Sequence, residues 1–279
     1  MLRRIEDWDD AYANAPHIPN GDAWPELWTR KAQAFRDGHA NKQLSLPYGK
    51  SDRQRLDLFL PNKRACGLVV FVHGGYWMRF DRTFWSHVAR GPLEHGWAVA
   101  MPSYDLTPNV RIKKIVQQVG YAVSHAALTV DGPIRLIGHS AGGHLVTRLC
   151  CDDADELLAH GVPQRIESVV SISGIHDLRP LLRLELNLTL KLDAAEARRQ
   201  SPALLEPAAR SNLITWVGQS ERAEFVRQSE LLANLWHGLG AATRSVVEPD
   251  RHHFDVVEGL ADPQSSLTAA LVDDVDAWA

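Results

Sequence analysis

The pentapeptide Gly138-His139-Ser140-Ala141-Gly142 lies between an apolar run, Ile134-Arg135-Leu136-Ile137, and a helix-like stretch opening at Gly143-His144-Leu145-Val146. The order reads strand, sharp turn, helix. Glycines around the serine let backbone segments approach where a Cβ would clash, and the strained turn lifts the hydroxyl above the sheet. Such a turn needs a buried strand before it and a packed helix after it, which commits the chain to a layered α/β fold. It nominates Ser140 as a nucleophile.

A second motif precedes it in the required order. Leu68-Val69-Val70-Phe71-Val72 leads into His73-Gly74-Gly75-Tyr76-Trp77. Acyl transfer develops negative charge on a carbonyl oxygen, and prepositioned backbone N–H donors stabilise it. The N–H groups of Gly74 and Gly75, with that of Ala141, are the expected oxyanion hole. A flexible strand-to-helix loop is the plainer reading of these glycines.

A serine hydroxyl needs a base, and the base an orienting carboxylate; this architecture supplies them in the chain order Ser, acid, His. The chain has 13 histidines, most of them bystanders. His253 is the candidate base: it follows the strand-like Thr243-Arg244-Ser245-Val246-Val247 in a polar loop near the C-terminus, and Phe254 can back its ring. His252 is its neighbour and rival. The acid is expected at Glu221, in the loop leaving the apolar run Leu213-Ile214-Thr215-Trp216-Val217. Glu224 is the alternative, although it falls within a helix expected over 223–237. Asp250 and Asp255 would have to fold back on their own loop.

The remaining apolar runs alternate with helical stretches, the pattern of a mostly parallel sheet covered on both faces. An early edge strand is expected at 56–60, and buried strands at 97–101 and 168–172. A helix is expected over 110–128, with Ile112, Ile115, Val116, Val119 and Val123 on one face. A last helix should start at Asp262-Pro263 and run to the C-terminus. The expectation is one α/β domain over 1–279, with an N-terminal helical extension at about 20–40 and an inserted cap at about 178–207. Because ligands bind beyond the carboxyl ends of such strands, that insertion is expected to roof the serine.

Composition excludes several function classes. Of 279 residues, 45% are hydrophobic and 23% charged, ordinary for a globular chain, and the net charge is −4 with scattered basic residues. No basic block alternates with aromatics, so nucleic acid is not an expected partner. Three cysteines, Cys66, Cys150 and Cys151, do not make a disulfide framework. No signal-peptide core or apolar run of about 18 residues is present, so a cytoplasmic protein with no membrane association is expected. The pairs His139/His144 and His252/His253 lack ligand-like companions, and no metal or other cofactor is expected. The partner implied is a small-molecule substrate, with a homodimer left open.

These segments resemble the kynurenine formamidase (arylformamidase) branch of the α/β-hydrolases, near the hormone-sensitive-lipase-like esterases. The resemblance rests on His73 to Trp77, Ser103-Tyr104-Asp105-Leu106-Thr107-Pro108, Gly138 to Leu145, Asp177-Leu178-Arg179-Pro180-Leu181-Leu182, Ser201-Pro202, Arg227-Gln228-Ser229 and His253-Phe254-Asp255. The HGGYW and DLRPLL segments are the narrower signals. One departure is the acid, often aspartate in the family and Glu221 here.

The resemblance implies Ser140 attacking a formyl carbon, with an arylamine leaving group and a place in tryptophan catabolism. Tyr76, Trp77 and the roof over 178–207 would line a flat aromatic slot, and Arg79 or Arg179 would meet a substrate carboxylate. The alternatives are a carboxylesterase using the same residues on short acyl esters, and a non-catalytic small-molecule-binding protein on the same fold.

Overall fold

The computed structural model describes residues 4–208 and 212–273. Eight strands form one sheet: β1 (Lys42–Pro47), β2 (Arg55–Phe59), β3 (Leu68–Val72), β4 (Ala98–Pro102), β5 (Ile134–His139), β6 (Ile166–Ile172), β7 (Asn212–Gly218) and β8 (Ala242–Glu248). Their spatial order is β1-β2-β4-β3-β5-β6-β7-β8. The first two pairings are antiparallel and the rest parallel. This is the α/β-hydrolase arrangement, with β5 and its serine near the centre.

Helices cover both faces: α1 (Trp8–Tyr12), α2 (Trp24–Gly38), α3 (Arg90–Glu94), α4 (Ile112–Ala127), α5 (Ala141–Arg148), α6 (Asn187–Leu190), α7 (Ala194–Arg199), α8 (Ala223–Gly238) and α9 (Ser266–Val272). Strand β3 shows why its sequence is apolar throughout. Leu68, Val70 and Val72 enter one core with α4, α5 and α8. Val69 and Phe71 enter the other, with Trp28 of α2, Leu93 of α3 and Leu267 of α9. Side chains alternate between the faces of a strand, and a strand covered twice therefore loses its polar positions. The five apolar positions expected to face the core along α4 are all buried.

Three expectations need correction. The edge is not 56–60, which pairs on both sides as β2, but the unforeseen β1, an exposed strand whose register shifts between Gln43 and Leu46, with Ser45 at φ 60°. The last helix is capped by Ser265, whose Oγ accepts from Thr268 N at 3.0 Å, rather than starting at Asp262-Pro263. Its expected continuation over 274–279 lies outside the described residues.

The third correction concerns the insertion. Leu178, Leu181, Leu184, Leu190, Leu192 and Ala197 are buried in the core shared by α4, α5 and α8. Polar ties hold it there: Arg111, at the start of α4, donates to Glu196 at 2.6 Å, and Trp236 Nε1 donates to Pro202 O at 3.2 Å. Residues 178–207 are thus a wall of the core, with most of their leucines turned inward and Leu188 and Leu204 left exposed.

Candidate active site

Ser140 joins β5 to α5 at φ 56°, ψ −119°, a left-handed conformation that costs a non-glycine residue about 1–3 kcal/mol. Its neighbours fix it: Ser140 N donates to Ile172 O at 2.7 Å, and His144 N donates to Ser140 O at 3.2 Å. The glycines are a packing requirement. A Cβ on Gly142 would stand 1.9 Å from Val72 O, and one on Gly138 2.2 Å from Gly142 O.

The loop after β3 packs on this turn. A Cβ on Gly74 would lie 2.9 Å from Ser140 Cβ, so its backbone flanks the serine directly. Gly75 has φ +107°, and Tyr76, Trp77 and Phe80 are also left-handed, at 50°, 58° and 70°. His73 anchors the loop, with Nδ1 donating to Gly74 O at 2.8 Å, while Tyr104 Oη donates to His73 O at 2.8 Å. Burial lowers His73 to about 4, so its ring is neutral. Among the described residues, no acceptor engages the N–H of Gly74, Gly75 or Ala141. Ala141 is the first residue of α5, where an N–H has no intrahelical acceptor.

The expected acid and base meet. His253 Nδ1 lies 2.6 Å from Glu221 Oε2. The other oxygen of Glu221 accepts from Gly218 N at 2.8 Å and from Ser173 Oγ at 2.5 Å, so the buried carboxylate is fully engaged. Glu224, the rival, sits in α8 and accepts twice from Arg227 at 2.7 Å and once from Tyr12 Oη at 2.8 Å. His252 turns away, its ring edge-on to Trp24 at 5.2 Å.

Two supports of His253 escaped the sequence reading. Phe225 stands 4.4 Å from its ring, nearer than Phe254 at 5.9 Å. His139 donates from Nε2 to His253 O at 2.8 Å and packs 4.8 Å from its ring. Burial and the neighbouring His253 hold His139 well below the usual imidazole range, leaving it a neutral strut. The signal for His139 was its place beside the serine. Phe225 carried none beyond being apolar.

Ser140, His139 and His253 line a cavity of about 240 Å³. Trp28, Phe80, Trp85 and Phe254 form an aromatic wall, and Tyr12 to Pro16, Gly21, Asp22 and Pro25 close one side. None of the lining residues lies in 178–207, so the N-terminal segment provides the cover expected of the insertion. Tyr76 and Arg79 line the cavity. Trp77 does not: it is fully buried and donates from Nε1 to His144 Nδ1 at 3.3 Å, because its left-handed backbone turns the indole into the core. Arg179 is committed to Asp177 at 2.9 and 2.7 Å, whereas Arg79 lies 5.3 Å over the Phe80 ring and pairs with no carboxylate among the described residues. A larger, open groove of about 630 Å³ between α2 and α3 contains no part of this site.

Known proteins match this arrangement. The BD-FAE family model matches residues 56–231. The kynurenine formamidase of Salmo salar is 29% identical over 84% of this chain and 82% of its own length, and that of Drosophila melanogaster 25% identical over 81% and 79%. Among solved structures, a Silicibacter sp. TM1040 protein provisionally described as a thioesterase superposes with a TM-score of 0.90 at 46% identity, covering 95% of this chain and 98% of that one. Esterase B of Lactobacillus rhamnosis shares the fold, with a TM-score of 0.71 at 20% identity over 92% of each chain. A strained serine elbow at the centre of a mostly parallel sheet, joined to these likenesses over most of the length, makes the chain a serine hydrolase of the BD-FAE family, similar to the kynurenine formamidases.

Proposed function

We propose that the chain hydrolyses the formamide of an N-formyl arylamine, N-formyl-L-kynurenine to L-kynurenine and formate, with Ser140 as nucleophile, His253 as general base and Glu221 as its orienting acid. The observation that carries this is the 2.6 Å contact from Glu221 to His253 Nδ1, with His253 and Ser140 lining one cavity. With Nδ1 held by the carboxylate, Nε2 is the nitrogen left for the serine proton. Ser140 Oγ adds to the formyl carbon as His253 takes its proton, and the N–H groups of Gly74, Gly75 and Ala141 hold the resulting oxyanion. Collapse breaks the C–N bond, and His253 protonates the departing arylamine. Water, deprotonated by His253, then releases formate from the serine.

The aromatic wall of Trp28, Phe80 and Trp85 suits a flat aryl group. Arg79, a cation beside that wall, suits the carboxylate of an amino-acid substrate. Tyr76 lines the same space through its ring. The exposed thiol of Cys66 fits a reducing, cytoplasmic setting, and no helix among the described residues is long and apolar enough to cross a membrane.

The test is relative turnover of N-formylkynurenine and p-nitrophenyl acetate by the purified protein. Preference for the formamide supports the proposal. Preference for the ester selects the second reading, a carboxylesterase, which the likeness to methylesterases of isoprenylcysteine favours. Inertness toward both, with tight binding of a small ligand, would make the fold a binding module.

A further inference from the structure

The segment 12–28 meets the site through Trp28, which packs on Phe80, Trp85 and Phe254, and through the hydrogen bonds of Tyr12. Tyr12 O accepts from Tyr76 Oη at 2.5 Å, and Tyr76 belongs to the left-handed loop that carries Gly74 and Gly75. Tyr12 Oη donates to Glu224 at 2.8 Å and accepts from Gln228 Nε2 at 3.0 Å, both on α8, the helix that follows Glu221. The Tyr12 ring meets Phe225 edge-on at 6.0 Å, and Phe225 backs the His253 ring at 4.4 Å. Farther out, Asp10 pairs with Arg222 and with His17 at 2.7 Å, and Glu185 N donates to Asp9 at 2.8 Å.

The two tyrosine hydroxyls are therefore used inside the protein rather than offered to a ligand. Tyr12 is 2% exposed and Tyr76 sits at φ 50°, a conformation that persists only where the surroundings hold it. One of those holds comes from the N-terminal segment. Beyond the joint, that segment brings Asn14, Asp22, Pro25 and Trp28 against the cavity.

We infer that Tyr12 and Tyr76 are positioning residues that seat the N-terminal segment as a strap across the cavity, so that selection among substrates by the size of their distal part depends on the seated strap. This rests on the hydrolase reading above. A small acyl ester reacts at the serine with little use of the far wall, whereas an N-formyl arylamine must fill the space that the strap closes. Losing the joint therefore acts unequally on the two.

The experiment uses the full chain and three variants: Tyr76→Phe, which removes only the hydroxyl that holds Tyr12 O; Tyr12→Phe, which removes the bond to Glu224; and Asp10→Asn, which weakens the outer anchor away from the cavity. The ratio of kcat/KM for N-formylkynurenine to that for p-nitrophenyl acetate should fall about fivefold in Tyr76→Phe, the size of one net hydrogen bond, mostly through KM. It should fall less in Asp10→Asn. Limited proteolysis within 13–23 should quicken in the same order and slow on adding kynurenine. A ratio unchanged in all three variants, or a uniform loss of both activities that tracks a fall in Tm, overturns the strap. Wild-type failure to hydrolyse N-formylkynurenine overturns the substrate proposal instead, and the strap is then read from the ratio of 1-naphthyl acetate to p-nitrophenyl acetate.

Discussion

On one flank of Ser140, His139, His253, Arg79 and the strap surround an open cavity; on the other, His144, His176 and the insertion 178–207 meet carbonyls, hydroxyls and an indole. His144 accepts from Trp77 at Nδ1 and donates from Nε2 to Gln200 O at 2.6 Å. His176 lies 3.3 Å from both Thr147 Oγ1 and Ser171 Oγ. The arginines divide in the same way, Arg179 held by Asp177 and Arg79 with no carboxylate partner among the described residues. An insertion beyond a strand end is therefore a poor guide to where a ligand sits. What separates the flanks is whether polar groups are already matched by protein partners, since a matched group gains little from a ligand.

The comparison breaks first at the chemistry. Ser140→Ala should lower kcat by about 10³-fold or more with Tm unchanged, and Glu221→Gln should follow with a loss of similar order. Glu224→Gln, whose partners are Arg227 and Tyr12, should keep kcat within about tenfold. Near-normal turnover in Glu221→Gln would move the acid elsewhere.

The sealed flank answers to pH instead. Burial lowers His144 and His176 to about 3, and His73 to about 4, from the ordinary 6.5. Above pH 6.5 neither the folded nor the unfolded chain protonates these rings. As pH falls below 6.5 the unfolded chain takes up protons that the folded one refuses, so stability drops by about 1.4 kcal/mol per pH unit for each histidine, down to their folded values. Urea midpoints should fall steadily from pH 6.5 to 4.5. A flat profile would mean that these rings are not held neutral.

The smallest effects separate the two arginines. Arg79→Ala should raise KM for the zwitterionic formamide about tenfold and leave that for formanilide, which has no carboxylate, nearly unchanged. Arg179→Ala should leave both KM values alone. The reverse result would put the substrate carboxylate on the other flank.

Much of this was legible in the chain. The central strands announce themselves because both faces are buried, and the elbow glycines because backbone passes within van der Waals distance of them. The contact of Glu221 with His253 could be anticipated because the fold brings together the loops after β7 and β8. The strap was not legible as cover, since Tyr12 meets Glu224 across 212 residues and a hydrogen bond of that span leaves no local pattern. Trp77 misled because an aromatic beside an oxyanion loop reads alike whether it faces a ligand or the core, and only the sign of φ decides. The leucines of 178–207 signalled burial, but not under which surface.

The separation of Tyr12 from Glu224 also orders events during synthesis. Tyr12 precedes every strand of the sheet, whereas its anchors on α8 follow seven of the eight. Trp28 can therefore pack on Phe80 and Trp85 once the loop after β3 has been made, whereas Tyr12 docks only after α8 exists.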